Sequence, residues 1–289
     1  MSESKSKKIG LFTVLGKFGG KILSFVVKGL KLSKVGLAAL SLAGYSFLYS
    51  WKFAILMLVS IGWHESGHVW AMKKMKLKTK GFYFLPFIGG VSISEDHYST
   101  YGQNAFVSIM GPIWGLLLAL FTSAIYLITH NPLWASAAVF MTLINLFNLL
   151  PTSPLDGGQV LKTIAFSIHK NVGVFFLFLS LAIGAIVFWY FKIWLFLAII
   201  LVGGIELYSE LRTRIIIHQI KKGLLEDYPN VLTEEHINAE LGTAFPQAMK
   251  PKQIGYAALS YLLTLTSLFG LVYLLKNAPG ADIVINFLQ

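Results

Sequence analysis

Long apolar runs alternate with short lysine clusters along most of the chain. Seven of these runs, at 35–50, 53–72, 104–129, 133–150, 172–191, 193–208 and 254–275, are long enough to be read as membrane-crossing helices. Three stretches break the pattern. In residues 1–34, Lys17, Lys21, Lys28 and Lys31 fall within one helical arc, with Leu, Phe, Ile and Val elsewhere. That spacing predicts an interfacial amphipathic helix, a surface anchor or gate, or simply a basic topology signal. Glycines and lysines interrupt its apolar stretch, so it is expected to be retained rather than cleaved as a signal peptide. Residues 81–94 turn aromatic and β-branched, with Pro86 and the pair Gly89 and Gly90, which predicts one or two short strands. Such backbone at membrane depth must line a protein or water-filled cavity; the alternative is an ordinary cytoplasmic loop hairpin. Residues 209–252 are polar, with Arg212, Arg214, Lys221 and Lys222 ahead of an acidic patch from Glu226 to Glu240, and are expected to form a helical hairpin or lid.

Composition agrees with this plan. Of 289 residues, 55% are apolar and 13% charged, and the mean hydropathy is +0.67, which sets the chain apart from an ordinary soluble domain. The net charge of +11 could indicate nucleic acid, but the basic residues sit between the apolar runs. With the N-terminus cytoplasmic, only Lys52, Lys192 and Lys276 of the 24 Lys and Arg fall outside, so the positive-inside rule fixes the orientation. No nucleic-acid partner is expected, and the lipid bilayer explains the basicity. The chain then divides into a cytoplasmic-surface segment 1–34, a transmembrane core 35–208, a cytoplasmic polar segment 209–252 and a C-terminal helix and tail 253–289. There is no cysteine, so a metal site must draw on His, Asp or Glu.

His64-Glu65-Ser66-Gly67-His68 is H-E-x-x-H on a predicted helix. The spacing of four puts both imidazoles on one face, able to bind one Zn²⁺, with Glu65 placed as general base toward water on the metal. Three ionisable groups inside an apolar span are costly, which favours function over structural packing. At 1.5 Å per residue, His64 lies about 13 Å inside the lysine-marked cytoplasmic boundary. A catalytic zinc wants a third protein ligand. Asp156 follows the run 133–150, which returns to the cytoplasmic side, and stands in Asn148-Leu149-Leu150-Pro151-Thr152-Ser153-Pro154-Leu155-Asp156-Gly157-Gly158. Its other reading is the N-cap of a helix over 157–169. Glu206 and Glu210 are rival ligands; alternatively they form a solvated helix end in which Glu210 pairs with Arg214.

HESGH in one span and NLLPTSPLDGG after a later one resemble the site-2 protease family, the intramembrane zinc metalloproteases of peptidase family M50. Ser108-Ile109-Met110-Gly111-Pro112 is similar to the family's small-x-x-Gly-Pro signature, and the resemblance covers roughly residues 53–170. It implies a polytopic α-helical membrane protein with about six to seven transmembrane helices around a zinc site and a short membrane-embedded β-hairpin at 81–94. It implies zinc, one per chain, on His64, His68 and Asp156, with Glu65 as base and Asn148 aiding substrate or oxyanion binding. It also implies that Phe87, Gly89, Gly90 and Val91 contact the substrate, a transmembrane protein held by strand addition. The function so implied is regulated intramembrane proteolysis. The size and polytopic plan point to a bacterial plasma membrane, with an archaeal or organellar membrane as the alternative, and the lysine-marked boundary puts the active site toward the cytoplasmic leaflet. The rival class is a non-proteolytic zinc-bound scaffold or a transporter-like homologue. The sequence departs from the family where Ile113, Trp114 and Gly115 follow Gly-Pro, a place where an Asn is frequent, and neither PDZ nor CBS domains are expected. Oligomeric state is not legible.

Overall fold

The computed structural model describes residues 34–48, 50–86, 89–191, 194–227 and 245–279. The amphipathic helix expected over 1–34 lies outside these residues save for Lys34. Phe87 and much of the acidic patch lie outside them too.

The described elements run, in chain order, α1 (Lys34–Leu48), α2 (Trp51–Lys74), β1 (Thr79–Leu85), β2 (Gly89–Ser94), α3 (Tyr101–Thr129), α4 (Pro132–Asn148), α5 (Asp156–Ile168), α6 (Lys170–Phe191), α7 (Trp194–Asp227) and α8 (Pro251–Leu275). The apolar runs therefore form helices, and Thr79–Leu85 pairs with Gly89–Ser94 in a two-stranded sheet. Among the described residues, three helices are long and apolar enough to cross a membrane: Tyr101–Thr129, Lys170–Tyr190 and Pro251–Leu275; Pro132–Asn148 is apolar but shorter.

The chain separates into two compact units. One takes in the described residues of Met1–Leu58 with Tyr83–Val91, the other those of Val59–Phe82 with Ser92–Gln289. The second unit carries the core. One cluster joins Tyr101 and Ala105 of α3 with Phe166 of α5, Leu177 of α6, Leu207 of α7 and Met249. A second joins Ile109 of α3, Leu149, Val160 of α5, and Tyr261 and Leu268 of α8. The short helix α5 contributes to both clusters, so its first residue, Asp156, is set by packing on several sides.

Helix ends follow their local chemistry. Thr100 caps α3: its hydroxyl accepts from Gln103 N while the Gln103 side chain reaches back, a capping box. Asn131 caps α4 through Leu133 N, with Pro132 at the first turn. Helix α5 begins at Asp156 itself with Leu155 as N-cap, so the carboxylate does not cap the helix and is available for another role. One boundary differs from the sequence reading. The run expected to end at residue 208 continues as α7 to Asp227, because Glu, Leu, Arg and Ile after Tyr208 sustain a helix after the hydropathy falls.

Candidate metal centre and catalytic site

Every residue of the site described here belongs to the second unit. His64 and His68 lie one turn apart on α2, both buried, and Asp156 meets them from the start of α5. Asp156 Oδ2 is 3.0 Å from His64 Nε2 and 3.4 Å from His68 Nε2, and the two Nε2 atoms are 3.1 Å apart. Among the described residues, no other group of His, Asp or Glu brings three ligand atoms together in this way. Glu206 and Glu210 are engaged elsewhere. Glu206 pairs with Lys162, and Glu210 accepts from Arg214 Nε at 2.8 Å, the i,i+4 partnership expected from the sequence.

The far side of each imidazole shows why this cluster suits a cation. Asn145 Nδ2 donates to Met141 O at 2.7 Å, which turns its Oδ1 toward His64 Nδ1 at 2.8 Å. His68 Nδ1 donates to the carbonyl of Val107 at 2.8 Å. Both partners are acceptors, so each ring has a proton on Nδ1, and Nε2 is the nitrogen that faces the centre. With Nε2 deprotonated, the two lone pairs and a carboxylate oxygen converge, an arrangement that a positive ion stabilises. A tetrahedral zinc with ligands about 2.0 Å away needs donor atoms roughly 3.3 Å apart, and the three observed separations match that edge. The residues fit zinc.

Two glycines of α3 make the approach possible. A Cβ on Gly111 would run into the Nε2 atoms of both histidines, and one on Gly115 would run into the side-chain amide of Asn145. Gly115 stands in the stretch after Gly-Pro where the sequence departs from the family, and in the structure the Asn145 amide packs against it.

Glu65 is buried beside the histidines, and Ser92 Oγ on β2 donates to its Oε2 at 2.6 Å. The same hydroxyl lies 3.1 Å from the Glu65 carbonyl oxygen. Tyr98, on the connection between β2 and α3, has its phenol held above the ordinary range, first by burial and then by the negative field of Asp156.

Of the residues singled out in the sequence, His64, Glu65, His68 and Asp156 come together. Asn148 is half-buried as the last residue of α4, one turn beyond Asn145. Gly89, Gly90 and Val91 lie in β2, and Phe87 is outside the described residues. Sequence reasoning missed Asn145, Ser92, Tyr98 and the Val107 carbonyl. The signals available for two of them were a polar residue within an apolar helix one turn before Asn148, and the alternating serines of Gly-Gly-Val-Ser-Ile-Ser.

An H-E-x-x-H helix joined by an aspartate from a distant helix start, among apolar helices, has the donor set of a zinc centre. Residues 52–131 match the sequence profile of peptidase family M50. The chain is 32% identical over 148 residues to sll0528, a provisionally named zinc metalloprotease of Synechocystis sp., an alignment covering 46% of this chain and 39% of that protein. It is also 32% identical over 135 residues to a zinc metalloprotease of Methanocaldococcus jannaschii, covering 45% of this chain and 39% of the relative. The chain thus spans about two fifths of the length of each of these relatives.

Proposed function

We propose that this chain is an intramembrane zinc metalloendopeptidase that hydrolyses peptide bonds in or near the transmembrane segment of other membrane proteins. The observation that carries this reading is Glu65, a buried carboxylate next to a complete His-His-Asp ligand set and not part of it. A scaffold or transporter with a structural metal has no use for a base at that place.

His64, His68 and Asp156 would hold the zinc, which when bound would supply Lewis acidity for activating water and polarising a carbonyl. Glu65 accepts the proton of the attacking water as oxygen bonds to the scissile carbonyl carbon. It returns that proton to the departing amide nitrogen as the C–N bond breaks. The Ser92 hydroxyl holds one oxygen of Glu65 and leaves the other to move the proton. Asn148 donates to the developing oxyanion. An unwound substrate segment pairs along β2 at Gly89, Gly90 and Val91, and Phe87, outside the described residues, is a further substrate-binding residue in this reading.

In this reading six to seven helices cross a bacterial plasma membrane. The N-terminus is cytoplasmic, the segment 1–34 lies on the cytoplasmic surface, and the site opens toward the cytoplasmic leaflet. Regulated intramembrane proteolysis is the process this serves. The test is cleavage of single-span membrane protein reporters in proteoliposomes by wild type and Glu65→Gln. Wild type is expected to cleave within the reporter span, and Glu65→Gln to keep its zinc and fold with cleavage down by at least a hundredfold. Equal cleavage by both would refute the assignment of Glu65.

A further inference from the structure

Glu206 of α7 lies outside the metal centre, yet its carboxylate holds the chain on both sides of Asp156. Ser153, three residues before Asp156, donates its hydroxyl to Glu206 Oε2. Lys162, six residues after it on α5, donates to Glu206 Oε1. Gln159, three residues after, donates from Nε2 to Ser153 Oγ at 3.1 Å and reaches Glu206 Oε1 at 3.5 Å. The Ser153 backbone N–H is also taken, donating to Ser180 Oγ of α6 at 2.6 Å. Ser153 is 1% exposed, and the Lys162 and Glu206 side chains keep 13% and 25% exposure. An ion pair so largely removed from water gains little net stability for its desolvation cost, so its presence here calls for another reason.

We infer that Glu206 is a positioning residue for the metal ligand Asp156, fixing the loop before it and the helix after it through Ser153, Gln159 and Lys162. Asp156 begins its helix without a side-chain cap bond at the N-terminus. Backbone bonds and the packing of α5 hold the turn, and the staple to α7 adds a side-chain restraint on both sides of the carboxylate. A ligand held in register contributes to metal affinity through the geometry it keeps ready, and partners beyond the ligands typically change affinity by about 10–100-fold.

This inference rests on the reading of Asp156 as a zinc ligand, and the experiment separates the two. Zinc affinity of the detergent-purified 289-residue chain is measured by chelator competition, with thermal unfolding of the zinc-free protein recorded alongside. Two double variants both lack the ion pair: Lys162→Met with Glu206→Gln keeps an acceptor for Ser153, and Lys162→Met with Glu206→Met does not. Replacing a buried ion pair by apolar side chains is often neutral for the fold, so both are expected to unfold near the wild-type temperature. The Gln form is expected to bind zinc within about threefold of wild type and the Met form about tenfold or more weakly. Ser153→Ala, which deletes one hydroxyl, is expected to follow the Met form. Should the Met form not fold, Ser153→Ala decides alone. Wild-type affinity in Ser153→Ala, or equal affinity in the two double variants, overturns the positioning role. Asp156→Ala is the control: retained zinc there removes the ligand reading itself, whereas zinc lost there but kept in Ser153→Ala removes this inference alone.

Discussion

Asn145 and Ser92 each act on one functional side chain, and their effects are expected to differ in kind. Asn145→Ala leaves the His64 Nδ1 proton without its acceptor and frees the ring to rotate or change tautomer. Zinc affinity is expected to fall about 10–100-fold, read by chelator competition. Ser92→Ala removes a hydrogen bond to a carboxylate, the kind that contributes roughly 1.5–3 kcal/mol. Cleavage is expected to fall by about tenfold or more with zinc affinity unchanged, because Glu65 is not a ligand. A loss of zinc in Ser92→Ala would contradict that division of roles. At this scale the sequence was legible where spacing encodes chemistry. His64, Glu65 and His68 follow from a four-residue helical repeat, and Asp156 from its place after a returning span. Asn145 and Ser92 were not, because their partners lie 81 and 27 residues away and no local pattern announces them.

Among the elements, the approach of α3 to the histidine face of α2 matters most. Gly111→Ala would drive a methyl group between the two ligand nitrogens, so zinc binding is expected to be lost with the helices still formed, checked by elemental analysis and far-ultraviolet circular dichroism. Thr100→Ala tests the other end of the same reasoning. Loss of the α3 capping box is expected to cost about 1 kcal/mol of stability and to leave zinc content unchanged. The apolar runs gave most helices to within a few residues, since a span long enough to cross a bilayer leaves few alternatives. The extent of α7 was not legible. Hydropathy falls at Ser209 whereas the helix does not, and Glu206 proved to face a lysine from α5 rather than solvent.

In the whole molecule, the apolar clusters that join α3, α5, α6, α7 and α8 contain none of the metal ligands. Removing zinc is therefore expected to abolish cleavage reversibly while the helical signal persists. Both histidines must present an unprotonated Nε2, so protons compete with the ion, and zinc affinity is expected to fall as the pH is lowered. Affinity that did not change on acidification would contradict a two-histidine site.

The central claim is that one zinc is held by two histidines of α2 and an aspartate of α5. Elemental analysis of the detergent-purified protein, wild type beside His64→Ala and Asp156→Ala, tests it most directly. The account predicts about one zinc per chain in wild type and little or none in either variant. Full zinc in Asp156→Ala, or none in wild type purified with metal present, would contradict it.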